Sequence, residues 1–183
     1  MIKKVILGLL SLIIFVVVVI CVAASMQPAE FKVVRDATYI APPEKVFEQV
    51  NDFHKWEAWS PWAKIDPAMK TIYSGPDSGV GASYSWIGNK DVGEGKMTIA
   101  ESQTSSHIKV DIDFIAPFAA KNAADFTFKP DGDKTHVTWT MSGQKNFLMK
   151  AFGLFVDMDK LVGGDFEKGL SQLKPVVESA PKQ

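Results

Sequence analysis

The chain opens with an unbroken apolar block and then alternates. No residue from Val5 to Ala29 is charged, and Val5 to Val22 is almost wholly aliphatic. About 20 such residues in helical form cross a bilayer core of roughly 30 Å. Period two then takes over. Phe31 to Ile40 is rich in Val, Thr and Tyr and predicts a strand that stops at Ala41-Pro42-Pro43. Pro43 suits the first turn of a helix, where its missing N–H costs nothing, and Val46, Phe47 and Val50 supply the apolar spacing of a short one. Asn51-Asp52 interrupts it, and Phe53 to Trp59 has room for another turn or two.

Six further strands are predicted over 71–74, 82–87, 95–102, 107–115, 123–129 and 135–142, separated by turn signals such as Gly75-Pro76-Asp77 and Pro130-Asp131-Gly132-Asp133. In the clearest, Ile108, Val110, Ile112 and Phe114 face one way while His107, Lys109, Asp111 and Asp113 face the other. That is the pattern of a sheet with one wet side. From Phe152 through Phe155, Val156, Val162, Phe166, Leu170, Leu173 and Val177 the steps become three and four, predicting one long amphipathic helix. Gly163-Gly164 should kink or divide it, and Pro175 should bend or end it. The fold class is therefore α+β: a curved antiparallel sheet wrapped around a long C-terminal helix, with one N-terminal transmembrane helix. The final helix is the one large element able to cover the apolar face, which leaves room for a cavity between sheet and helix.

Composition changes the picture mainly by its unevenness. The 183 residues are 46% hydrophobic with mean hydropathy +0.03, but the leader carries the excess. Residues 1–29 read as a transmembrane anchor or signal segment and residues 30–183 as one domain. Lys3 and Lys4 precede the apolar block, favouring an end kept in the cytoplasm and a domain on the periplasmic or extracytoplasmic side of the cell (inner) membrane. Two other readings compete: a signal peptide cleaved near Val22-Ala23-Ala24, and lipidation at Cys21, which follows Ile20 where a lipoprotein signal wants a small residue. The single cysteine excludes an intramolecular disulfide and a multi-thiolate metal site. The remainder of the chain has 18 cationic and 21 acidic side chains, and Arg35 is the only arginine. A net charge of -1 and a lack of guanidinium clusters argue against a nucleic-acid partner.

The order of elements resembles the helix-grip fold of the SRPBCC, or START-like, superfamily. Ile40-Ala41-Pro42-Pro43-Glu44-Lys45-Val46-Phe47 is similar to the strand-to-helix junction of its polyketide cyclase/dehydrase-like branch. So are the segments 51–62, 79–86 and 164–170, and the likeness covers about residues 32–178. The resemblance implies a hydrophobic cavity under the C-terminal helix and an apolar ligand such as a lipid, sterol or polyketide. In some members it also implies cyclisation or dehydration. No cofactor is implied.

Within that frame, Trp56, Trp59 and Trp62 are candidates for an aromatic rim at a cavity mouth, their indole N–H groups adding polar handles. The competing reading is that they wedge the short helices against the sheet. Tyr84, Trp86, Phe114, Phe126, Trp139 and Met141 are candidates for the concave face, with Phe155 and Met158 facing them from the helix. Each taken singly is more often plain core. His107 and His136 fall on wet faces; His54, beside the tryptophans, is the histidine worth testing. There is no catalytic constellation and no metal-ligand spacing. The expected function is a membrane-tethered module, held through residues 5–25, that binds a hydrophobic small molecule or lipid. One rival is a cyclase/dehydratase-type enzyme using His54, Asp66 or Tyr84. The other is a non-catalytic structural or stress-related interaction protein with a filled core.

Overall fold

The structure, a computed structural model, describes residues 2–179. An apolar helix, α1 (Ile2–Ser25), is followed after four residues by β1 (Glu30–Tyr39), α2 (Pro43–Val50) and a 3₁₀ helix over Phe53–Ala58. Six strands come next: β2 (Lys70–Ser74), β3 (Ser83–Ile87), β4 (Glu94–Gln103), β5 (His107–Ala116), β6 (Ala120–Asp131) and β7 (Lys134–Gln144). Two helices, α3 (Phe147–Phe152) and α4 (Met158–Glu178), close the chain. The strands form one seven-stranded sheet in the order β1-β7-β6-β5-β4-β3-β2, antiparallel throughout. The sheet and its C-terminal helix are the arrangement that the residue pattern predicts, and they match the helix-grip fold that the resemblance implies.

Period two explains the sheet's two faces. Val33 and Tyr39 of β1, Ile108, Val110 and Ile112 of β5, and Val137, Trp139 and Met141 of β7 are buried, while their neighbours face water. Side chains alternate across a strand, so one register buries the whole apolar set. The wet face pairs its charges locally: His107 Nε2 lies 2.9 Å from Asp125 Oδ1, and His136 Nδ1 lies 3.2 Å from Thr38 Oγ1. Phe166, Leu170, Leu173 and Val177 bury one stripe of α4 against the core face. Each such side chain contributes about 1.5–3 kcal/mol relative to exposure.

The C-terminal region differs from the single helix read from the sequence. Asn146 caps α3, its side chain accepting from Met149 N, and Asp157 caps α4 by accepting from Asp159 N and Lys160 N. Two caps make two helices, so Phe152 closes α3, and Phe155 and Val156 lie between the elements. Conversely, α4 runs unbroken through Gly163-Gly164 and Pro175. A Cβ at Gly163 would land on the Arg35 guanidinium, so this glycine opens a passage for Arg35 and breaks nothing. Arg35 uses it to reach Glu167 Oε1 at 2.6 Å and Asp159 Oδ2 at 2.9 Å, strapping β1 to α4. Those bonds hold the Asp159 carboxyl below its ordinary range.

Pro175 removes the N–H that would bond the carbonyl of Ser171, and Ser171 is exposed, so water can serve that carbonyl. The last turn is pinned independently. Val177 is fully buried, and Glu178 accepts from Ile40 N at 2.9 Å and from Lys174 Nζ at 2.6 Å.

Candidate functional site

The space between sheet and α4 is built from aromatic rings. Trp139 stacks on Phe166 with centroids 3.9 Å apart and planes 6° from parallel, and on Phe126 at 4.9 Å and 28°. Trp59 meets Trp139 edge-on at 5.7 Å, and Trp62 meets it at 5.9 Å. Trp59, Phe126, Trp139 and Phe166 are all buried. Where these rings meet, side chains in van der Waals contact occupy space expected to be open. Large aromatics at the centre of a sheet of this size fill the volume that smaller side chains would leave.

Trp56 and Trp59 are anchored by their indoles. Trp56 Nε1 donates to Val50 O at 3.0 Å and Trp59 Nε1 to Gln49 O at 3.1 Å, which satisfies carbonyls at the end of α2. Both therefore tie the 3₁₀ helix to α2 and the sheet. Trp62 is half-buried beside Phe166. Trp86 and Met141 are buried; Tyr84 and Phe114 are partly buried, with Trp86 between them. Burial, and then the neighbouring Tyr73, push the Tyr84 phenol up to about 12, so it is neutral at physiological pH. Phe155 is not on α4 and does not face the core; it is 74% exposed. Met158 opens α4, and its side chain lies outside the described atoms.

The polar groups considered for acid–base work have structural partners. His54 Nδ1 lies 2.9 Å from Asp52 Oδ1, and the ring stacks on Tyr73 at 4.1 Å. Asp66 is buried, accepting from Ala68 N at 2.9 Å and Asn89 N at 2.7 Å, and so ties two loops together. Among the described residues no group of His, Cys, Asp and Glu side chains is placed to hold a metal ion.

A cleft of about 490 Å³ lies instead at the end of the sheet next to α1. Its core-facing row runs across four strands through Phe31, Gly143, Asn122 and Ile112, and wet-face neighbours Asp111, Asp113 and Lys121 add charge. Gly143 is required here, because a Cβ would strike Asn122 Oδ1 and the Phe31 ring. Asn122 Oδ1 is buried without a hydrogen-bond partner, a state that costs about 1–3 kcal/mol unless a ligand or water serves it. Trp139 Nε1 is the other buried side-chain polar atom without a partner among the described residues. The pattern of apolar and polar positions does not single out Phe31, Asn122 or Gly143. The one available signal was a glycine and an asparagine inside runs otherwise fit for strand interiors.

A family model described as polyketide cyclase / dehydrase and lipid transport matches residues 30–178. The chain belongs to this family. No curated protein matches it in sequence. A Chromobacterium violaceum protein has a similar solved structure, at TM-score 0.58 and 16% identity, covering 84% of this chain and 100% of its own. So does a protein of unknown function from Staphylococcus aureus, at TM-score 0.63 and 11% identity, covering 84% and 97%. The Aha1 dimer from Colwellia psychrerythraea is a third, at TM-score 0.58 and 15% identity, covering 81% and 96%. At these identities the likeness establishes the fold alone.

α1 contains a 23-residue stretch, Lys3–Ser25, long and apolar enough to cross a membrane. A signal sequence would pass the same test.

Proposed function

We propose that this family member is a membrane-tethered binding module for a hydrophobic small molecule or lipid. The ligand is taken at the sheet-end cleft between Phe31, Ile112 and Asn122. The observation that carries this reading is the cleft itself. Its volume of about 490 Å³ lies within the roughly 300–1,000 Å³ typical of ligand pockets. Phe31 and Ile112 offer apolar surface beside the buried, unserved Asn122 Oδ1, and Glu30, Asp111, Asp113 and Lys121 ring them with charge, a lining suited to an apolar ligand that carries a polar end. The family's description includes lipid transport, which supports the ligand class. The tryptophans and the other inward-facing side chains, from Trp56 to Met141, act on this reading as the wall behind the site.

Binding derives from burial, at about 25 cal/mol per Å² of apolar surface, less the cost of ordering. The domain stands on the extracytoplasmic side of the inner membrane, with α1 as its tether.

The test is extraction. Full-length protein purified in mild detergent, then denatured in organic solvent, should release an apolar compound that raises the melting temperature when added back. Asn122→Leu keeps the branched outline of the side chain and removes its polar groups, so it should lower the yield of that compound. If nothing is released and neither lipids nor apolar small molecules shift the melting temperature, the proposal fails.

A further inference from the structure

We infer that the end of the domain next to α1 is a bilayer-contacting surface, with Phe118, Phe147, Leu148, Phe152 and Phe155 dipping into the lipid interface around the anchor. The inference rests on the reading of α1 as a membrane span. It commits to one occupant, the lipid bilayer that holds α1.

Topology places these residues together. In the antiparallel sheet, the start of β1, the β5–β6 turn and the end of β7 all lie at one end. Lys145 N extends the β1–β7 ladder by donating to Ala29 O at 2.7 Å, four residues after α1 ends. Phe118 sits in the β5–β6 turn, and α3 follows β7 directly. Each of the five side chains is between 54% and 74% exposed. Outside α1, they include every exposed phenylalanine among the described residues. Soluble domains seldom gather large apolar side chains in this way without something to cover them.

Depth is fixed by a contact. α3 packs against α1, and Ala24, in the last turn of α1, is fully buried. Ser25 ends the apolar helix, so a bilayer that accepts α1 has its surface near Ala24. A helix packed there lies at the headgroup level, where an apolar face inserts roughly 5–10 Å. The lysines at this end, Lys121, Lys145 and Lys150, have stems long enough to keep their charge in water while the surface dips. Glu30, Asp111 and Asp113 lie at the same end, Asp113 3.3 Å from Lys121, so acids offset the lysines and apolar insertion dominates. The cleft at Phe31, Asn122 and Gly143 opens at this same end. A lipid could therefore pass from bilayer to cleft with little exposure of its tails to water.

The test uses the full chain in phosphatidylcholine vesicles, in a Cys21→Ala background with one environment-sensitive label per variant. Phe118→Cys and Phe155→Cys probe the surface, Ile14→Cys probes α1, and Asp131→Cys marks the opposite end of the sheet. All four positions are exposed, so the core is untouched. Labels at 14, 118 and 155 should each lose more than about half of their emission to a lipid-borne quencher, as groups below the headgroup level do, while the label at 131 loses little. Quenching at 14 with 118 and 155 behaving like 131 would overturn this inference and leave the anchor standing. Labels at 118 and 155 shielded from both lipid-borne and aqueous quenchers would instead indicate a protein interface, and would overturn it too. A label at 14 that remains in water would overturn both.

Discussion

Phe166→Ala is the sharpest test of the filled interior. Phe166 is fully buried on α4 and lies parallel to Trp139 at 3.9 Å, with Trp62 edge-on at 6.3 Å. Removing the ring opens a void on the order of 100 Å³, worth about 2.4 kcal/mol at roughly 24 cal/mol per Å³ before the lost transfer energy is added. The stacked pair contributes a further ~0.5–1.5 kcal/mol beyond its area. These two contributions reach about 3–4 kcal/mol before the transfer energy, so the full loss should be at least about 4 kcal/mol, within the roughly 3–5 kcal/mol found for buried Phe→Ala changes. At roughly 2–4 °C per kcal/mol for a chain of this size, the melting temperature should fall by about 8–16 °C. The assay is thermal unfolding followed by near-UV circular dichroism, which reports the packed tryptophans directly. The new void is apolar and should stay dry, so benzene or indole should restore part of the loss in the variant and do nothing to the parent. A variant that melts within about 2 °C of the parent would refute the reasoning, since a residue already facing open space leaves no new void when trimmed.

Three further expectations rest on the same packing. Gly164→Ala should stabilise by about 0.5–1 kcal/mol, because a Cβ there meets nothing within 4 Å and helical glycine is costly. Gly163→Ala should destabilise despite the same propensity gain, by displacing the Arg35 guanidinium from Asp159 and Glu167; denaturant midpoints compare the two. All three tyrosines should resist ionisation, since burial raises Tyr39, Tyr73 and Tyr84 above the ordinary phenol value. A raised native value means that their contribution to stability is complete below the unfolded value near 10. It is lost as pH climbs from there toward about 12 for Tyr84. A spectrophotometric titration should therefore place the tyrosinate signal above the ordinary phenol range, and normal ionisation of all three near pH 10 in the folded state would contradict it.

The strands were legible because one physical rule governs them. Ile108, Val110 and Ile112 must share a face, and alternation with His107, Lys109 and Asp111 leaves no other period. Pro43 announced the first turn of α2 for an equally local reason, a missing donor where none is needed. What misled were residues whose roles are set by partners far away in sequence. Gly163 reads as a helix breaker until Arg35, more than a hundred residues earlier, is seen lying across it. Pro175 reads as a stop until the turn beyond it is found bonded to Ile40 and buried through Val177. Asn146 and Asp157 did carry a local signal, as capping side chains ahead of apolar runs. That signal would have divided the C-terminal region correctly.

The candidate site was the least legible part, for a reason that also bears on function. Trp59, Phe126 and Trp139 have the chemistry that either a pocket wall or a close-packed centre requires, so residue type alone cannot separate the two. Packing does, by setting Phe166 parallel to Trp139 at contact distance. Once that volume is filled, an apolar ligand needs another place, and the end of the sheet offers one where Gly143 withholds a side chain and Asn122 leaves an oxygen unserved. Four residues link that end to α1. On our reading, α4 thus holds the core shut while the opposite role, admission of a lipid, moves to the edge nearest the membrane. Filling and tethering then support one another, because a site that takes its ligand directly from a bilayer does not need a deep cavity to shield that ligand across water.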